Sequence, residues 1–515
     1  MKNILKLFLL LAITQMPILV KSNNLRIANV SFANINPLAQ TVNIKFTISW
    51  ENSWRDSINW DAAWVFARYK HPVTGFWSPI KFNPGSGVNG TGTNATVQVA
   101  SDSMGSFIYR NQISNGVFAD SNITMTWKYG KDGLSSLSNI EIRLMAMEMV
   151  YIPEGPFQLA FNEDIISKYA TYLKNASNRD STTFPIGGFQ RVRMLGSNYT
   201  IPTIDTSTIS LEFITWGESY GNDNDKYSGF SVPNDTIKIK GSLGIDSNKD
   251  GIIDNLNYPT GFSSFYIMKY ELSEQQYADF LNTIASTQSS GIGVAGKNIT
   301  LNNGVYNSST PNRACNSATS NRILAYGDWA GMRPMTFMEF EKSLRGPISE
   351  FLDIDYFNRK LYNISSSYFT SENGMENIYP QAPSNFGDSI FLTEYNGYFN
   401  SGSSYNFLRP GVKGTNTSTR KISNASYYGV FDLTSNVVDP YISPKNLQFT
   451  KINGDGLINS NGLTNISFWN NLGAYWPVTT RNENTQSNNE LIYSENDTQS
   501  GTTKVRGFRF VRSAE

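Results

Sequence analysis

Cysteine and histidine are almost absent from this chain: one of each, Cys315 and His71, in 515 residues. A single cysteine excludes an intramolecular disulfide, so stability is expected from packing. One of each also excludes a metal centre built from two or more His or Cys ligands. A Ser-His-Asp triad would have to use His71, which sits in the turn-like stretch YKHPVTG without a nucleophile-elbow motif. A surface-turn histidine is the simpler expectation. Charge is scarce too. Only 16% of residues are charged and the formal net charge is zero. No basic surplus points to nucleic acid, and no acidic block points to a solvated tail. Beyond the N-terminus no segment approaches the ~18 consecutive apolar residues of a membrane span.

What is present begins with a targeting segment. MKNILK supplies Lys2 and Lys6, LFLLLAITQMPILV is a short apolar run, and VKS ends it with permissive residues. The pattern predicts a signal peptide over 1–22, cleaved after Ser22, and hence a periplasmic, cell-surface or secreted protein. No cysteine follows the apolar run, so no lipid anchor is expected there. Aromatics reach 13% and glycine is abundant, at 40 residues, which suits a β-rich or loop-rich fold better than a helical bundle.

Residues 23–148 read as an antiparallel β-sandwich domain. LRIANVSFA and TVNIKFTISW alternate apolar and polar residues, and further short strands follow between Gly, Asn, Ser and Asp turns. Trp50, Trp54, Trp60 and Trp64 are expected as core or rim aromatics. From 149 to 515 the chain changes to long polar loops with three helices. One covers 272–285, with Ser273 as N-cap and Gln276 three residues on. A second covers 316–331 and closes at Gly331. A third covers 336–346, with Thr336 as cap and Glu339 at N3.

The order of five segments in this second part carries a resemblance. They are MVYIPEGPFQL (149–159), FYIMKYELSEQQYADFLN (265–282), AYGDWAGMRPMTFMEFEKSLRGP (325–347), YYGVFDLTSNVVDP (427–440) and RGFRFVRS (506–513). Together they resemble the signature blocks of the formylglycine-generating enzyme (FGE) family, the sulfatase-modifying-factor domain. The resemblance implies an α+β fold of the irregular, loop-rich C-type-lectin-like kind. It also implies where the family's chemistry would lie. The FGE oxidase binds copper through two cysteines shortly before its closing Gly-Phe-Arg strand, because soft thiolates hold Cu(I). Here that place reads FWNNLGAYWPVTTRN, with no cysteine. A related iron-dependent branch needs several histidines. Neither copper nor iron is therefore expected.

Calcium is the cofactor the resemblance leaves. The family's calcium loop corresponds to Asp432 and Asp439 as side-chain ligands and Ser435 and Val437 as backbone ligands, all hard oxygens. Val438 replaces the family's Trp and Ser435 its Gly. The same acids could equally be turn or capping residues. A second calcium candidate is DSNKDGIID, with Asp246, Asn248, Asp250, Ile252 and Asp254 at alternating loop positions and Gly251 at the turn. A metal-free Asx turn would give the same string.

The function expected is an exported, non-catalytic binding or structural protein of the cell envelope, with a protein or glycan partner. Phe468, Trp469, Tyr475, Trp476 and Arg481 are the candidate contact residues, since Trp and Tyr are favoured anchors. Burial of these aromatics in the core is the competing expectation. The alternative function is an FGE-type oxidase, or another enzyme reusing the family cleft through carboxylates.

Overall fold

A computed structural model describes residues 25–84, 90–155, 190–194, 211–215, 230–231, 238–239, 259–346, 407–412, 414, 425–433, 436–437, 439–442, 449–470, 480–481, 493–494 and 506–515. The strands up to residue 152 are β1 (Arg26–Asn36), β2 (Thr41–Arg55), β3 (Asp61–Lys70), β4 (Trp77–Pro79), β5 (Gly90–Thr91), β6 (Ala95–Val99), β7 (Gly105–Arg110), β8 (Ser114–Trp127) and β9 (Glu141–Ile152). Then come two short antiparallel pairs, β10 (Gln190–Met194) with β11 (Leu211–Thr215) and β12 (Phe230–Ser231) with β13 (Lys238–Ile239). They are followed by β14 (Phe265–Met268), β15 (Ile299–Asn302), β16 (Val305–Ser308), β17 (Arg333–Pro334), β18 (Thr480–Arg481), β19 (Tyr493–Ser494) and β20 (Phe510–Ser513).

Period-two patterning decides the first sheet, in the order β1-β2-β8-β5. On β2, Val42, Ile44, Phe46, Ile48 and Trp50 are buried while the residues between them reach solvent. That buried row shares a core with Phe118, Ile123, Met125 and Trp127 of β8. Trp50 and Trp64 are fully buried, and Trp54 and Trp60 are half-buried.

The second sheet runs β17-β20-β14-β9-β3-β7-β6, and β4 pairs with β3 at Arg68–Lys70, beyond the stretch paired with β7. Its pairs are antiparallel. The run DAAWVFARY does not alternate because β3 is buried on both faces. Ala63, Val65, Ala67 and Tyr69 look toward the first sheet. Ala62, Trp64 and Phe66 look the other way, onto the helices. The larger sheet is thus the middle layer of an α+β, strand-rich architecture. β9 crosses residue 148 without interruption. It pairs with β3 through Asp61↔Val150 and with β14 through Phe265↔Ile152. One sheet therefore carries strands from both sides of the expected 148/149 boundary.

Among the described residues the α-helices are α1 (Glu274–Leu281), α2 (Ser286–Ile292), α3 (Ser320–Trp329), α4 (Phe337–Arg345) and the single turn α5 (Ser467–Asn470). Ser273 and Gln276 form the expected capping box of α1, and Thr336 and Glu339 that of α4. Tyr277, Phe280 and Leu281 of α1 enter the core under Trp64 and Phe66. The helix expected from 316 starts only at Ser320. Thr319 caps it, accepting from the Arg322 amide, and Ser317 before it has a left-handed φ of 60°. Cys315 therefore precedes the helix, and its amide donates to the Leu272 carbonyl. On α4, the Lys342 ammonium donates to four backbone carbonyls, those of Pro153, Gly155, Gly261 and Phe262, at 2.6–3.2 Å. His71 lies in an exposed turn, where its Nδ1 accepts from the amides of Val73 and Thr74.

Candidate functional site

Strand β14 ends at Met268, and three residues later Glu271 sits just ahead of the α1 cap. Its carboxylate is buried. Oε1 accepts from the Val437 amide at 3.0 Å, and Oε2 accepts from the Asn436 side-chain amide. Asn436 in turn takes the Leu408 amide on its Oδ1 at 3.0 Å. Glu271 thus pins the loop 432–439 from below. Asp432 and Asn436 adopt left-handed φ values of 59° and 69° there. Asp and Asn tolerate that region best among residues with a side chain.

The two carboxylates expected as calcium ligands both fall at this place and are both buried. Asp432 Oδ2 accepts from the Gly411 amide at 2.6 Å. Asp439 Oδ2 accepts from Arg509 Nε at 2.6 Å. The same guanidinium donates to the carbonyls of Met268 at 2.8 Å and Phe431 at 2.9 Å, tying the loop to β14. Asp439 Oδ1 is buried and accepts no hydrogen bond among the described residues. Gly507 lies so close to Val437 Cγ2 that a Cβ would clash, which explains a glycine in RGFRF. Ser435 lies outside the described residues.

Burial is the main electrostatic influence. It pushes the Asp439 carboxyl up to about 6, against the pull of Arg509 and with repulsion from Asp432. Glu271 is pushed well above the ordinary carboxylate range by burial and by the charges of Asp432 and Asp439. Three acids thus feel one another beside Arg509. Among the described residues no group of three or more His, Cys, Asp or Glu side chains is arranged to hold a metal ion. A cation here would need backbone oxygens as well.

The aromatic candidates separate. Trp469 is 0% exposed and packs in the helical core, whereas its neighbour Phe468 is 51% exposed. Arg481 is described by its backbone, which pairs with Tyr493. Tyr475 and Trp476 lie outside the described residues, as do Asp246, Asn248, Asp250, Ile252 and Asp254. Cys315 is buried, and burial raises its thiol well above the usual range. Glu271, Asn436 and Arg509 were not among the expected site residues. Two signals were there to find them: an acid two residues before the Ser273 cap, and an arginine between two core phenylalanines.

No family model, no curated protein and no solved structure matches the chain.

Proposed function

We propose that this chain is an exported, FGE-like protein without the family's oxidase chemistry. It serves the cell envelope as a binding or structural protein and holds the loop 432–439 with calcium. The observation that carries the reading is the state of the one cysteine. Copper oxidase chemistry needs exposed, paired thiolates, and Cys315 is single, buried and held protonated. The family's copper position falls in 467–482, which has aromatics and amides instead.

Calcium fits the donor chemistry of the loop. Asp432 and Asp439 would supply carboxylates, and Val437 and, by the resemblance, Ser435 would supply carbonyls. Asp439 Oδ1 is a buried hard oxygen with no hydrogen-bond donor among the described residues. A bound divalent cation would offset the repulsion among Asp432, Asp439 and Glu271. The exposed Phe468, beside the buried anchor Trp469, is the described part of the contact surface for a glycan or protein partner.

Metal analysis of the purified, folded protein tests the reading. Calcium in stoichiometric amount without copper is the expected result. Stoichiometric copper would overturn the non-oxidase assignment.

A further inference from the structure

Lys269, Asp61 and Glu148 meet where β3, β9 and the end of β14 run side by side. Their side chains are 1%, 0% and 2% exposed. Lys269 Nζ lies 3.0 Å from Asp61 Oδ2 and 3.1 Å from Glu148 Oε2. Asp61 Oδ1 points the other way and accepts from Ser53 Oγ at 2.8 Å and the Trp54 amide at 3.1 Å. Trp50 Nε1 donates to Oδ2 at 3.0 Å. The Trp54 and Tyr270 rings stand 4.7 Å and 5.5 Å from the ammonium. The site therefore holds an amine against a carboxyl, a second carboxyl beside the amine, two donors on the oxygen that would gain charge, and aromatic walls.

We propose that Lys269 and Asp61 condense into an intramolecular amide, with Glu148 carrying the protons. Burial pulls the Lys269 ammonium toward the neutral amine, and Tyr270, Asp61 and Glu148 more than offset that pull. The nucleophile is thus formed by proton transfer to Glu148 as attack begins. The Nζ–Cγ bond forms and the Cγ–Oδ2 bond breaks. Oδ2 leaves as water with two protons that began on Nζ, and Glu148 ends as the carboxylate it was. Nothing is oxidised or reduced. The Ser53 hydroxyl and the Trp54 amide stabilise the charge that develops on Oδ1. Groups held within about 3–3.5 Å of one another react as an effectively unimolecular pair.

Two further points favour the amide. As ions the triad would bury one cation with two anions, an expensive arrangement that condensation relieves of one ion pair. The buried pairs Arg333–Glu339 and Arg509–Asp439 cannot follow this path, because a guanidinium is not a nucleophile in proteins. The bond would join residues 208 positions apart, in a chain whose lone cysteine cannot brace it.

Mass spectrometry of the denatured full-length chain tests the proposal, with its N-terminus fixed by peptide mapping. The expected mass is one water below that of the sequence. Digestion is expected to yield one species joining the peptides of Asp61 and Lys269. A folded wild-type protein at full mass, with the two residues recovered in separate peptides, would overturn the bond. The variant Glu148→Gln, folded by near-ultraviolet circular dichroism, is expected at full mass; a cross-link in it would overturn the role given to Glu148.

Discussion

At the scale of single residues, neighbours in the chain have opposite fates. Trp469 is buried in the core that includes Phe449 and Phe508, and Phe468 faces solvent one position earlier. Trp469→Ala is expected to cost about 3–5 kcal/mol in urea unfolding, through the cavity it leaves. Phe468→Ala is expected to change stability by no more than about 0.5 kcal/mol, as surface substitutions do. Equal effects of the two substitutions would contradict the placement of this turn. The stretch SFWNNLGAYWPVTTRN announced its aromatics clearly. It could not say which of them point inward, because a four-residue helical turn is too short for a periodicity to be read. Asp432 and Asp439 were singled out only through the family resemblance, and both lie buried in this loop. Glu271 and Arg509 were not singled out, because each meets its partners, Asn436 and Val437 or Asp439, only through the tertiary fold.

At the scale of elements, local chemistry was the most legible part of the chain. Both capping boxes stand where Ser273–Gln276 and Thr336–Glu339 placed them, because the cap is a contact between residues three apart. Tyr277, Phe280 and Leu281, at helical spacing, form the buried face of α1. The start of α3 was misplaced by four residues. Ser317 breaks the helical path with its left-handed backbone, which composition alone does not reveal. The continuous burial of β3 follows from a layer on each side, a tertiary circumstance, although its unbroken apolar run hinted at it. α4 is held from outside its own sequence. Lys342 reaches the carbonyls at 153–155 and 261–262, two segments that no local rule connects to it.

At the scale of the whole molecule, β9 unites the two parts of the chain in one sheet. A fragment covering 23–148 would expose Trp64, Phe66, Met145 and Met147, which pack on the helices in the full chain. It is expected to aggregate or to bind a hydrophobic dye strongly, measured against the full chain; a soluble, dye-silent fragment would contradict the shared core. The acids of the loop couple global stability to pH. Asp439 titrates at about 6 when folded against an ordinary value of 3.8, so the folded state binds its proton more tightly than the unfolded state. Without a cation, this group's contribution to stability is therefore lost as pH rises from about 4 to about 6. Calcium needs the deprotonated carboxylate and should restore that loss. The most direct test is thermal unfolding with and without calcium, at about pH 7.5 and about pH 5, for the wild type and Asp439→Asn. At a calcium concentration about a hundredfold above Kd, the wild type should gain about 2.7 kcal/mol at the higher pH. It should gain clearly less at the lower pH, and the variant should gain less than the wild type at the higher one. No calcium-dependent shift in the wild type, or an equal shift in Asp439→Asn, would contradict a calcium-held loop.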